Sequence, residues 1–313
     1  MRIRPNRIAV AAGLTVGLLA VPAFAGNGSN LLQYLPSNSQ MVFGIDADNL
    51  RSAPFFQQVV TMATSTDEYQ EAMAELGDIT AFDPTTDIHT VVFASTVVSD
   101  ASGDSFVFIV QADIDEAAVQ TAIDAEIADA LTRNAPDEVL QKNTTGTVVS
   151  YGDDEMTMAF LADNIVAMGT PALMNQTIAA ASGTGTAGLS GTLSTRANSA
   201  AGGSIWFAAN APADQPELQG MWGSVSISSS VAANLSVQTS DAATASAAVA
   251  EFEAQRTALA GSPEVAQFGL SNVINGTTVA ANGDVLTVNA TIDAQTWTML
   301  TATATALIQS ELQ

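Results

Sequence analysis

The chain has 313 residues, 47% of them hydrophobic, with 8 basic residues against 32 acidic ones, one histidine and no cysteine. A formal net charge of −24 repels phosphate backbones and excludes nucleic-acid binding by charge neutralisation. Without cysteine there is no disulfide framework, thiol catalyst, Cys-ligated zinc, iron–sulfur cluster or acylated-cysteine anchor.

Residues 1–25 have the three parts of a secretory signal peptide. Arg2, Arg4 and Arg7 form the positive region, Ile8 to Val21 the apolar region, and Ala23-Phe24-Ala25 the cleavage site. Cleavage puts the mature N-terminus at Gly26 and discards three of the eight bases, so the mature chain is the more acidic form. No later stretch offers roughly 18 uninterrupted apolar residues, and no membrane span is expected after cleavage. The expected location is the periplasm or the cell exterior. Charged residues are only 13% of the chain, so the surface is mostly uncharged polar with acids scattered through it. High salt screens the acid–acid repulsion of such a surface, which suits a saline environment.

Residues 26–182 form a first half. Met41 to Ile45 reads as a strand, followed by a helical stretch with Ser52 as cap and Pro54 in its first turn. Ile88 to Val97 and Phe106 to Ala112 read as strands joined by the polar turn 99–104. A helix is predicted from Asp115 to Arg133, with Val119, Ile123, Ile127 and Leu131 as its apolar stripe. Strands at Thr147–Tyr151, Met156–Leu161 and Ile165–Met168 follow, and Thr170-Pro171 starts a last helix.

The stretch 183–203, rich in Gly, Ser and Thr, reads as a linker to a second half, 204–313. There Ile205 to Phe207 opens as a strand, and Gly223–Ser229 pairs with Ala232–Thr239. A helix runs from Asp241 to Leu259, and a hairpin of Asn272–Ala280 with Val285–Ile292 turns at Asn282-Gly283. Asp293 caps a closing helix on which Trp297, Leu300, Ala304 and Leu307 share a face. The same order of elements occurs twice. The predicted fold is α+β, an internal duplication of two similar halves, each a mainly antiparallel sheet with helices packed on one face.

Chemistry-bearing motifs are sparse. Gly183-Thr184-Gly185-Thr186-Ala187-Gly188 matches a dinucleotide fingerprint in letters only, because it follows a helix instead of linking a strand to one. His89 is the only histidine, so any histidine-base mechanism must pass through it; no G-x-S-x-G nucleophile accompanies it. Ile88, Thr90 and Val92 alternate with His89, Val91 and Phe93, and either set can face the core. In the preceding turn, Asp83 can cap a short helix begun by Pro84.

The segments 46–49, 100–104 and 152–155 each gather several oxygens in a turn, as calcium sites do, but none has the twelve-residue loop pattern. Asp100 and Asp104 are the best calcium candidates. No other cofactor is expected, and no catalytic residues are assigned.

Three phrases carry a resemblance: Tyr34-Leu35-Pro36-Ser37-Asn38-Ser39, Leu50-Arg51-Ser52-Ala53-Pro54 and Phe82-Asp83-Pro84-Thr85-Thr86-Asp87-Ile88. With them the chain resembles exported proteins of unknown function from myxobacteria and their relatives. The resemblance covers roughly the first third of the mature chain. It implies a secreted or periplasmic α+β protein and supplies no activity or site residues.

The expected function is that of a non-catalytic binding or interaction protein, engaging a protein or small-molecule partner in a groove between the halves. The alternatives are a carboxylate- or calcium-dependent extracellular hydrolase and a surface-layer component.

Overall fold

The computed structural model describes residues 28–64, 66, 69–70, 73, 82–96, 105–133, 139–185, 188–262, 265, 270–300 and 302. The predicted signal peptide and the calcium candidates Asp100 and Asp104 lie outside them.

A 3-10 helix (Gly28–Tyr34) leads into β1 (Met41–Asp46), α1 (Ala47–Arg51) and α2 (Pro54–Thr64). The short α3 (Pro84–Asp87), β2 (Ile88–Ser95), β3 (Phe106–Ala112) and α4 (Glu116–Thr132) follow. Two hairpins come next, β4 (Gln141–Thr145) with β5 (Val148–Gly152) and β6 (Thr157–Ala162) with β7 (Ile165–Gly169). Helices α5 (Pro171–Ala181) and α6 (Gly191–Ala200) lead to β8 (Ile205–Asn210), β9 (Leu218–Ile227) and β10 (Val231–Thr239). The rest comprises α7 (Ala242–Ala260), α8 (Ser271–Gly276), β11 (Thr278–Asn282), β12 (Val285–Ile292) and helical residues 294–300.

Among the described residues, all twelve strands join one antiparallel sheet in the order β11-β12-β10-β9-β8-β1-β2-β3-β7-β6-β5-β4. Its middle is the β1/β8 pair, with Gly44 opposite Trp206 and Phe43 opposite Phe207. Outward from β1 the order is β2, β3, then the hairpin β7/β6; outward from β8 it is β9, β10, then the hairpin β12/β11. On each side the long helix, α4 or α7, falls in sequence between the third strand and that hairpin.

Helices cover both faces of the sheet, not one face as expected. Val42, Val92, Val107, Ile109 and Trp206 pack beneath the 3-10 helix, α5 and α6. On the opposite face Ile45 and Val91 meet Leu50 of α1 and Phe56 of α2, while Ile123 of α4 rests on Tyr151 and Phe160. The cause is visible in β2, where the consecutive residues Val91 and Val92 are both buried and so require cover on both sides.

The stretch 183–203 holds a core element. Within it, α6 buries Leu193, Arg196, Ala197 and Ala200, spaced three and four apart so that they line one helical face. Small and polar letters conceal this stripe. The junction between the strand sets is therefore a hydrogen-bonded strand pair backed by α6, where a linker and groove were expected.

Other departures are local. Residues 271–276 are helical, so the predicted strand from Asn272 begins only at Thr278. Ser52 stands at the C-terminal end of α1 and does not cap α2. Leu131 is 63% exposed, because successive steps of four drift about 40° each and carry the stripe off the buried face. The edge strand β4 has an all-polar sequence and is anchored by Lys142, the sole lysine, whose Nζ lies 2.6 Å from Asp124 of α4.

One glycine is dictated by close approach. Trp206 is fully buried against β1, and a Cβ on Gly44 would stand 2.1 Å from its ring. No side chain fits there.

Candidate functional site

Where β1 and β3 end and β2 begins, beside the 3-10 helix, lies an open polar hollow of about 470 Å³. It is lined by carboxyl groups of Asp46, Asp48 and Asp113, amides of Asn30, Asn49, Gln111 and Asn164, and His89 with Thr90.

The local sequence builds it stepwise. Asp46 ends β1 and caps α1: one carboxyl oxygen accepts the Asn49 backbone N–H at 2.8 Å, the other the Asn49 side-chain amide at 2.8 Å. The segment 46–49 is thus a helix cap. Capping puts Asp48 in the first turn of α1, where Arg51 reaches back to it at 2.5 Å. Arg51 also donates to the carbonyls of Thr85 (2.7 Å) and Ile88, fastening α1 to α3 and β2. As expected, Asp83 caps α3 by accepting the Thr85 N–H.

His89 is placed by an irregularity in the sheet. Ile88 pairs with Ala112 and Thr90 with Gln111, so the ladder skips a residue at His89, the arrangement of a β-bulge. Bulges re-aim side chains, and this one turns the ring between two carboxylates. Nδ1 lies 3.1 Å from both oxygens of Asp48, and Nε2 lies 3.2 Å from Asp113. On the far side Asn164, in the β6–β7 turn with φ 63°, donates to Asp113 at 3.3 Å and holds it toward the ring.

The electrostatics follow from this geometry. Burial alone would lower the His89 pKa, but hydrogen bonds and charge from Asp48 and Asp113 outweigh it and leave it raised above 6.5. Desolvation raises Asp46 to about 6, with the neighbouring Asp48 charge adding to it and the Asn49 hydrogen bonds opposing it.

His89 is the only one of these residues singled out in the sequence as a possible catalytic group. Asp46, Asp48 and Asn49 entered as one of the oxygen-rich turns. Asp113 carried a signal only as a cap candidate beside Asp115, and Asn164, Gln111 and Asn30 carried none beyond turn chemistry at Asp163-Asn164. In the third oxygen-rich turn, Asp153 accepts the N–H groups of Glu155 and Met156, both at 2.8 Å, so its carboxylate supports the turn. Among the described residues, no three His, Asp or Glu side chains converge as a metal site.

A second polar cluster lies under α6. Arg196, 5% exposed, donates to Asn210 at 2.8 Å and Gln238 at 2.9 Å, with its guanidinium 5.9 Å from the Trp222 ring. Gln238 in turn donates to Asp284, and Asn210 to Gln40. Desolvation lowers the Arg196 pKa.

No protein-family model matches this chain, and no curated protein does. Among solved structures it is similar to three titled as crystal forms of TP0453. Form III has TM-score 0.46 at 11% identity, covering 87% of this chain and 97% of that one. Form IV has TM-score 0.45 at 12% identity, covering 89% and 99%. Form I has TM-score 0.44 at 10% identity, covering 88% and 97%. A likeness of this degree carries no argument about activity.

Proposed function

We propose that this is an exported, non-catalytic binding protein, and that the hollow around His89 receives a small polar ligand. The observation carrying the reading is how its ionisable groups are engaged. Both nitrogens of His89 face carboxylates, and both oxygens of Asp46 hold Asn49. A general base needs a free lone pair within reach of substrate, whereas a recognition surface needs fixed donors and acceptors. The amides of Asn30, Gln111 and Asn164 supply those. Export is supported by the pattern of residues 1–25. No helix among the described residues is long and apolar enough to cross a membrane. Internal duplication is supported by the matching strand order outward from β1 and β8.

The test is thermal denaturation with four probes at millimolar concentration: a diamine, a free amino acid, a monosaccharide and a short oligosaccharide. Binding to the native state raises Tm by linkage. A rise with any probe that is lost in Gln111→Leu supports the reading. If all four probes leave Tm unchanged, the reading is wrong.

One observation favours a second reading, carboxylate-dependent hydrolysis. Asp46, pushed up to about 6, lies in the same hollow as Asp48 and Asp113. Turnover of a chromogenic glycoside or ester that disappears in Asp46→Asn would establish it.

A further inference from the structure

We infer that His89 is a protonation latch on the rim of the hollow, joining α1 to the turn after β3 only while both of its ring nitrogens carry a proton. The inference deepens the binding reading by naming what controls the site, and it rests on that reading only for the consequence to the ligand.

The argument starts from the imidazole itself. A neutral ring has one N–H and one bare nitrogen, whereas an ionised carboxylate only accepts. Asp48 at 3.1 Å and Asp113 at 3.2 Å face opposite nitrogens, so both contacts are hydrogen bonds only for the imidazolium. Removing one proton leaves a lone pair against carboxylate oxygens, and one side of the rim must let go.

The surroundings show which side is freer. Asp48 also holds Arg51, which is tied to the carbonyls of Thr85 and Ile88, so α1 stays docked without the histidine. Asp113 has only the Asn164 amide at 3.3 Å as its other side-chain partner among the described residues. Its own N–H donates to the Asp87 carbonyl, while the Asp87 carboxylate is occupied by the Asp83 N–H and the Thr86 hydroxyl. Asp46 is the remaining charged group in the hollow, and it faces Asn49. Deprotonation therefore releases Asp113 and Asn164 from the ring and leaves α1 in place. Below the ring's titration the Asp113 carboxylate is held to the ring; above it that side chain is freed, while the backbone bonds of Asp113 to Asp87 and of Ala112 to Asn164 remain.

A single histidine makes the measurement unambiguous. The ring ¹⁵N signals of the full chain, without ligand, are followed from pH 5 to 9 alongside the backbone amides of Asp48, Asp113 and Asn164. The latch predicts a doubly protonated ring at pH 5 and a midpoint above 6.5. The Asp113 and Asn164 amides should shift with that midpoint, in Asp46→Asn as in the wild type, which keeps the ring's titration apart from that of Asp46. Asp113→Asn, an isosteric change, should lower the midpoint.

A ring already neutral at pH 5 overturns the inference, as do Asp113 and Asn164 amides that ignore the ring's titration. The consequence for binding is read separately, with whichever of the four probes binds. Its affinity should change across the same midpoint, and a bound probe indifferent to that midpoint removes the regulatory role. If no probe binds, the binding reading falls while the latch is still judged by the ring titration.

Discussion

Two basic side chains of this acidic molecule, Arg196 and His89, are held in opposite ways. Arg196 is buried under α6 and takes neutral amide oxygens from Asn210 and Gln238, with the carboxylate of Asp284 one residue further out. His89 sits on an open rim, its ring directly between two carboxylates. An arginine keeps its charge at every physiological pH, so neutral acceptors suffice to hold it, and its low-dielectric setting makes the arrangement rigid. A histidine can lose its charge, and placing it in solvent between two acids makes its contacts conditional on pH. One site is a fixed lock between α6 and the second strand set. The other can respond.

Arg196→Ala tests that contrast most severely. It leaves half-buried acceptors on Asn210 and Gln238 unpaired and opens a cavity beneath α6. Denaturant unfolding should show a loss of about 3 kcal/mol that is nearly constant from pH 5 to 8.5. A loss below about 1 kcal/mol would mean the network is not a lock.

Asp46→Asn addresses the acid beside the responsive cation. Its folded pKa of about 6 lies above the ordinary value of 3.8, so the native state holds the proton more tightly. Wild-type stability therefore falls on this group's account as pH rises from about 4 through 6. Asn cannot ionise, so the variant should gain on wild type over that window, by at most about 3 kcal/mol. A wild-type–variant difference that stays flat with pH would show Asp46 to be an ordinary exposed cap.

His89→Gln separates the latch from the lock by its pH window. The folded pKa of His89 is raised, so its contribution is complete below about pH 6.5 and is lost as pH rises through the folded value. The variant should cost about 1 kcal/mol at pH 5 and close to nothing at pH 8.5. An equal cost at both pH values would assign His89 a packing role only.

Salt gives the smallest and sharpest distinction. Raising NaCl to about 1 M shortens the Debye length to roughly 3 Å, which screens exposed pairs and spares buried ones. The His89→Gln cost at pH 5 should shrink by a few tenths of a kcal/mol, while that of Arg196→Ala should not change. Parallel responses would erase the difference between the two sites.

Legibility in the sequence followed how local the cause was. Asp83, Asp115, Asp241 and Asp293 were readable as caps because each bonds an N–H two or three residues on. The turn at Asn282-Gly283 was readable because Gly283 takes a positive φ of 61°. Leu193, Arg196 and Ala197 were not, because their spacing is hidden among Gly, Ser and Thr, and their burial depends on the distant Trp206 and Trp222. Half of the site was equally hidden: 24 positions separate His89 from Asp113, and 51 separate Asp113 from Asn164.

By itself, the sequence determined the excess of acid, the absence of cysteine and the strand and helix periodicities. Each is a property of composition or of near neighbours, where turn chemistry and alternation act. Only the tertiary structure decided that the two strand sets pair through β1 and β8, that one face of α6 belongs to the core, and that His89 points at two acids. Those outcomes depend on strand register and on a bulge, where skipping one residue redirects a side chain to a different face.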